Sequence, residues 1–487
     1  MIKLQRISVK NLIKLSQVLC VMIVAIILSI PLLTFMQNVD QTNIDMLVND
    51  TKKKANISNL SVVIVEGNKL TYLGGDNSQL YQIGSMTKAY TALGIQLLID
   101  QGKISLDDTI SNYLDGFIAF YQGKPVEITV DQLLAQTSGY TNSEKMYPSA
   151  TINMSLESWC ESISGKELST EPGRVYAYSN VNYNLLGLII EKVSGQSYRE
   201  YMEENVLIPL GLEHTYCGMP DEDELIIEGR RQGFLYSFPY KKTVSEGTIP
   251  AGYFYSNIED MGKWMQIQMN LTVVPPDIEV AIKKIQQAAM VNYYGGWEKT
   301  SFGAFGHSGG TPNYSSRIVF DVDNHIGVCV LANMNAAGSV DWLCDSILKI
   351  RTDNEVDSFA IDIWRIMDIT FTIVTIVCLI LFVFLLWQKG FKKTTMTIII
   401  IILALLTIAV LIVFPLIFQA GWWTILTIWA PFSMSSGVLL LFSCTILAIL
   451  KRIQFQWKSS IVIRMYNTLL FCTVNILAYC CPVTVSF

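Results

Sequence analysis

The amino-acid sequence predicts an α/β (α+β) outer domain followed by a transmembrane helix bundle. Strand-like β-branched runs stand near both ends of the stretch 37–359, helical spacing fills its middle, and the residues from 360 onward turn almost wholly apolar. Strands from both ends that meet across a helical middle give one antiparallel sheet flanked by helices, with a helical subdomain.

The elements justify this division in order. Val18–Met36 is apolar and follows Lys3, Arg6, Lys10 and Lys14, so residues 1–36 read as a signal anchor or signal peptide. No small-residue cleavage pattern lies between Pro31 and Thr42, which favours a retained anchor. Ser61–Gly74 is rich in β-branched residues and turns at Glu66-Gly67-Asn68, the pattern of a hairpin. Met86–Gln101 carries helical apolar spacing through Tyr90, Leu93, Leu97 and Leu98, and Gly102 ends it. Val130–Gln136 and Val181–Val193 read as further helices, and the acidic cluster Asp221–Glu224 as a solvated loop. Strands are predicted at Ser301–Phe305, Ser315–Val322 and Ile326–Asn333, then an amphipathic helix at Val340–Ile350.

Beyond the outer domain, membrane spans are predicted at Ile366–Trp387, Met396–Phe418, Trp422–Leu450 and Ile461–Val483, so 360–487 holds three or four helices. Lys389, Lys392 and Lys393 separate the first two; Lys451, Arg452 and Lys458 follow the third; Gln419-Ala420-Gly421 carries no charge. The positive-inside bias puts both basic loops and the basic N-terminus in the cytoplasm, which leaves 37–359 outside. Apart from Arg464, the last three spans lack the ionisable residues that transport requires.

The net charge of −6 gives no basic stripe for a nucleic-acid partner. Of ten cysteines, only Cys160, Cys217, Cys329 and Cys344 fall in the outer domain, and Cys329 sits in a run that reads as a buried strand. With three histidines and no C-x-x-C pair, no metal or other cofactor is expected.

Three short strings carry chemistry. Ser85-Met86-Thr87-Lys88 puts a hydroxyl and an amine three residues apart on one helical face. A serine hydroxyl attacks only when a base removes its proton, and a lysine serves as that base only with a lowered pKa. S-x-x-K alone is commonplace, and a helix cap beside a solvated lysine is the plain alternative. Tyr178-Ser179-Asn180 lies on a loop entering a helix, where a phenol could relay a proton and an amide could hold substrate; equally, Tyr178 could pack in the core and Asn180 cap the helix. In His307-Ser308-Gly309-Gly310, glycines permit close approach, and an N–H near Gly310 could pair with that of Ser85 around an oxyanion. Its alternative is a hairpin turn with a satisfied histidine. The ordered trio points to serine acyl transfer.

These residues resemble the serine β-lactamase and penicillin-binding superfamily, on the branch of class C β-lactamases and D,D-peptidases. The resemblance extends through Tyr81-Gln82-Ile83-Gly84, Leu133–Gly139, Tyr183–Gly187, Pro209–Leu212 and Pro250-Ala251-Gly252. It implies a β-lactamase-like fold in which Ser85 is acylated, Lys88 is its base partner and Tyr178 the proton relay. Asn180, Gln82, His307, Gly309 and Gly310 would contact substrate. His307 stands where true β-lactamases carry lysine, a variant similar to that of D,D-carboxypeptidases and D-aminopeptidases. The membrane segments resemble prodrug-activating peptidases that remove an N-acyl-D-asparagine cap outside the cytoplasmic membrane; Gln82 departs from the glutamate of that group.

The function expected is therefore extracytoplasmic hydrolysis of an amide next to a D-amino acid, in an acyl-peptide or a peptidoglycan stem, at the bilayer surface. The alternatives are a penicillin-binding sensor or scaffold with little turnover, and a β-lactamase or esterase. The orientation is testable by cysteine labelling in intact cells: a cysteine at a solvent-facing position beside Thr51 reacts with an impermeant maleimide, and one at Lys392 reacts only after permeabilisation. The reverse pattern would overturn the outer placement.

Overall fold

The computed structural model describes residues 43–454, apart from positions 149, 152, 221–224, 243, 360 and 388–392. The anchor, the acidic cluster Asp221–Glu224 and the span Ile461–Val483 lie outside the described residues. The chain forms two compact units, one comprising Val39–Arg230 and Pro239–Asp362, the other including Arg231–Phe238 and the residues from Ile363 onward.

The first unit is built on a six-stranded sheet of β1 (Leu60–Glu66), β2 (Lys69–Gly74), β5 (Glu298–Lys299), β6 (Phe305–Gly310), β7 (Ser315–Asp321) and β8 (Ile326–Ala332), in the order β2-β1-β8-β7-β6-β5. Every pairing is antiparallel, so strands from both ends of the unit close one sheet, as the β-branched runs predict. β1 is buried on both faces. Val62 and Ile64 pack with Leu47 and Val48 of helix α1 (Ile44–Lys54) and Leu343 and Ile347 of α6 (Ala337–Arg351). Val63 and Val65 point the other way, into the core that holds Met261 and Trp264 of α4 (Ile258–Gln268). Each fully buried valine is worth about 1.5–3 kcal/mol, so a helix layer on each side is what the unbroken apolar pattern of β1 requires.

Helix α2 (Thr87–Asp100) and α3 (Asn180–Ser194) form the buried middle, and α5 (Pro276–Ala289) packs beside α2. The hairpin turn Glu66–Lys69 and the helices near 87, 130, 180 and 337 fall where patterning puts them. Ser301–Phe305 does not form the predicted strand. It is largely the turn between β5 and β6, and the strand begins at Phe305 and contains His307-Ser308-Gly309-Gly310. A β-sheet register holds the glycines extended, which local patterning reads as a turn. Cys160, Cys217, Cys329 and Cys344 are buried free thiols.

In the second unit, α7 (Ile363–Trp387), α8 (Lys393–Phe418) and α9 (Phe432–Gln454) are long and apolar enough to cross a membrane. The predicted span Trp422–Leu450 is two pieces, because Ala430 leaves the helix with ψ 151° before Pro431. A residue preceding proline is pushed out of the helical region, and proline has no N–H to continue it. Patterning assigns 37–359 to one outer segment, but residues 231–238 leave it for this helical unit. Arg231 anchors them there. Its Nε donates to the Ala430 carbonyl at 2.5 Å, and its Nη atoms donate to those of Thr427 and Leu426 at 2.8 and 2.7 Å. These are carbonyls whose helical N–H donors the break takes away. Asp368 accepts from the Leu235 N–H at 2.9 Å and from Ser433 Oγ at 2.6 Å. Arg231→Met should therefore lower the full chain's melting in detergent by the equivalent of about 2–3 kcal/mol, because it withdraws three charge-assisted hydrogen bonds from buried and partly buried carbonyls. Arg231→Lys should recover under half of that, since one ammonium cannot span three carbonyls. Unchanged melting in the methionine variant would show that the fork carries no stability.

Candidate active site

The short strand β3 (Tyr81–Gln82) pairs with β4 (Tyr255–Ser256) and leads into a tight turn at Gly84–Met86, from which α2 starts. Gly84 has φ +54°, and a Cβ there would lie 2.5 Å from the amide nitrogen of Gly310. At Gly309 a Cβ would lie 2.1 Å from the Ile83 carbonyl oxygen. Backbone meets backbone at both positions, which brings the Gly309-Gly310 edge of β6 against the turn that carries Ser85. Ser316 Oγ donates to the same Ile83 carbonyl at 2.8 Å and ties β7 into the contact. Gly310 itself is exposed, with open space where a side chain would stand.

Lys88 is 0 % exposed at the start of α2. Burial holds its amine well below the ordinary lysine pKa. Its Nζ lies 3.0 Å from Ser85 Oγ, donates to Asn180 Oδ1 at 2.6 Å and donates to the carbonyl of Ala251. A neutral amine has two N–H groups and one lone pair. The amide and the carbonyl take both N–H groups, which leaves the lone pair for the hydroxyl proton of Ser85. The arrangement can deprotonate a serine.

Tyr178 lies within hydrogen-bond reach of Ser85, and burial raises its phenol above the ordinary value, so it stays protonated. The Lys88 amine sits 4.9 Å from the centre of its ring. A protonated phenol there can give a proton to a leaving group and regain one from Lys88. Its loop is held by Gln136, whose Oε1 accepts from the Ser179 N–H at 3.0 Å and from Asn182 Nδ2. Ser179, and not Asn180, caps α3, leaving the Asn180 side chain for Lys88. The Asn180 N–H is anchored on Asn142 Oδ1 at 2.7 Å.

On β6, His307 faces Tyr178 with ring centres 6.1 Å apart, while Ser308 points to the other face of the sheet. There Ser308 Oγ accepts from Arg317 at 3.0 Å, and Arg317 binds Asp345 at 3.0 Å and Glu298 at 3.2 Å. Asp341 completes that cluster, and burial pushes its carboxyl up to about 7. These ion pairs pin β6 from behind.

Ser85, Lys88, Tyr178, Asn180, His307, Gly309 and Gly310 thus converge. Gln82 is enclosed in β3, and its side-chain hydrogen bond among the described residues runs to Tyr255 at 2.6 Å. Sequence reasoning misses the roles of Gln136, Asn142, the Ala251 carbonyl and Tyr293. Gln136 and Ala251 do fall inside the strings Leu133–Gly139 and Pro250–Gly252.

The chain matches the Beta-lactamase family over residues 44–341, and it belongs to that family. It is 32 % identical over 337 residues to Protein flp of Staphylococcus aureus strain MW2, a match covering 61 % of this chain and 64 % of the relative. The chain therefore spans less than two thirds of the curated relatives it matches there. A putative D-alanyl-D-alanine carboxypeptidase of Escherichia coli O157:H7 is 36 % identical over 146 residues, covering 28 % of this chain and 33 % of that one. Among solved structures, the octameric penicillin-binding protein homologue from Pyrococcus abyssi aligns with TM-score 0.54 at 23 % identity, covering 64 % of this chain and 77 % of that one. A class C β-lactamase aligns with TM-score 0.54 at 18 % identity, covering 63 % and 94 %. These likenesses establish the β-lactamase-like fold of the first unit.

The burial of Lys88 sets a pH dependence of stability. Its folded pKa lies below the unfolded value, so the folded state binds fewer protons and stability falls as pH drops below 10.5 toward the folded pKa. Lys88→Met removes that burden. The melting temperature of the variant relative to the unaltered chain should be higher at pH 7 than at pH 10. A difference that does not change with pH would mean the lysine is charged in place.

Proposed function

We propose that the chain is a membrane-bound, extracytoplasmic serine hydrolase that works through an acyl-enzyme at Ser85 and cleaves an amide next to a D-amino acid. The observation that carries the reading is the buried Lys88, whose amine burial holds well below its ordinary pKa, with Asn180 Oδ1 and the Ala251 carbonyl accepting from it and Ser85 Oγ 3.0 Å away. In the first step Ser85 Oγ attacks the carbonyl carbon and its proton passes to Lys88 Nζ. The oxyanion is met by the N–H groups of Ser85 and Gly310. Tyr178 gives its proton to the departing nitrogen and takes one from Lys88, and the C–N bond breaks. Water then attacks the ester at the same carbon and releases the acid, and Ser85 recovers its proton.

The D-amino-acid class is supported by relatives described as D-alanine carboxypeptidases: the putative enzyme of Escherichia coli, and a Burkholderia cenocepacia structure with TM-score 0.52 at 19 % identity, covering 63 % of this chain and 97 % of that one. The membrane setting is supported by the three long apolar helices, and the outer orientation by the basic loops beside them. An exported acyl-peptide or a stem peptide near the bilayer is the substrate class that fits. The spans hold the enzyme there and raise its local concentration.

The test is intact-mass analysis after incubation with a fluorophosphonate or a fluorescent penicillin. Ser85→Ala should lose labelling while remaining inserted, and labelling that persists in it would sink the assignment. Lys88→Arg should be slowed by about 10²–10⁴-fold, because a guanidinium stays charged and cannot take the proton.

A further inference from the structure

His307 is 5 % exposed and both its ring nitrogens are engaged. Nδ1 lies 2.6 Å from the carbonyl oxygen of Ser308, a group that only accepts, so Nδ1 carries the proton. In the neutral ring that burial favours, Nε2 is the lone pair, placed 3.1 Å from the Tyr293 hydroxyl to accept its proton. The two partners fix one tautomer of a neutral imidazole.

The surroundings favour the same state. Tyr293 meets His307 edge-on at 5.6 Å and Tyr178 edge-on at 6.0 Å, with Tyr176 at 5.8 Å on its flank. Burial is the largest influence on His307, and it holds the imidazole down to about 3. The other titratable groups here are the phenols of Tyr178, Tyr183 and Tyr293, all raised by burial and uncharged.

A carboxylate that leaves water needs a cation or several charge-matched donors. The position His307 occupies on β6 offers neither, since its N–H is given to Ser308 and its lone pair to Tyr293. We propose that Tyr293 is a positioning residue that locks His307 as a neutral wall of the site. The enzyme then selects acyl-D-aminoacyl substrates whose portion over β6 is uncharged, an amide or the interior of a longer peptide, over those ending there in a free carboxylate; it shares the D-amino-acid class of the relatives named carboxypeptidases but not the C-terminal carboxylate that name implies. This rests on the acyl-transfer reading of Ser85.

The test uses the full chain in detergent with a matched pair, N-acetyl-D-alanyl-D-alanine and its carboxamide. The carboxamide should be turned over with kcat/KM at least about tenfold higher, the scale of one unpaired charge. His307→Lys should reverse that preference. Tyr293→Phe keeps the ring but withdraws the proton from Nε2, which raises the imidazole pKa. KM for the free acid should then fall as the pH is lowered, while the unaltered chain shows no such change; a merely structural loss would not move this profile. Selective ¹⁵N-histidine NMR should find His307 neutral and protonated on Nδ1 at pH 7. Preference for the free acid, equal turnover of the pair, or no turnover of either while Ser85 is labelled by a fluorophosphonate would each overturn the selectivity. So would an imidazolium at pH 7. Absence of labelling at Ser85 would instead overturn the acyl-transfer reading, and the NMR arm would still decide the state of the pair.

Discussion

An amine buried without a countercharge is the constraint on which the rest of the first unit depends. The partners of Lys88 are a hydroxyl, an amide oxygen and a carbonyl, with two phenol rings at 4.9 and 5.5 Å. A carboxylate at any of these places would restore the ammonium and remove the base. Keeping the set neutral while satisfying each N–H takes contributions from three separate segments, because one helix turn cannot supply them. Asn180 and Ala251 lie 92 and 163 residues away in sequence from Lys88. The unit must fold as a whole before Lys88 has its function.

The same logic governs His307, on the opposite wall. There burial with no carboxylate beside the ring disfavours its charged form, as burial does for Lys88. The two groups reinforce one another, since a charge on either would raise the cost of a charge on the other. The formal charges sit behind the sheet instead, where Arg317 is paired with Asp345 and Glu298 and holds Ser308. Charge on that face gives β6 rigidity, and neutrality on the other face leaves the site free to respond to charge that develops in a transition state.

The helical unit solves a different problem. In the membrane setting proposed above, apolar helices have no hydrophobic reason to choose one another, so polar contacts specify their arrangement. The break at Ala430-Pro431 exposes carbonyls, and Arg231 answers them with its fork while its guanidinium lies 4.9 Å from the Phe432 ring. Asp368 supplies the acceptor for the Leu235 N–H and for Ser433. A hairpin of eight residues, drawn from between the two stretches of the first unit, becomes part of the bundle through these two side chains.

Period and punctuation in the sequence determined the elements whose signals are local. The hairpin around Gly67, helix α2 ending before Gly102, helix α3 and the long apolar helices are set by spacing, turn residues and hydrocarbon length. The strings at Ser85, Tyr178 and His307 were legible as an ordered trio, although each alone has a commonplace alternative. Only the tertiary structure decided what makes them work. The Ala251 carbonyl has no side-chain signature, Gln136 acts through a backbone N–H on another loop, and Tyr293 reads as one more core aromatic until His307 is seen beside it. His307-Ser308-Gly309-Gly310 has turn composition yet is a strand, because register against β7 overrides the preference of its glycines. The excursion of residues 231–238 could not be read for the same reason. The carbonyls that attract Arg231 lie almost two hundred residues further on, and no local pattern records a backbone group in need of a partner.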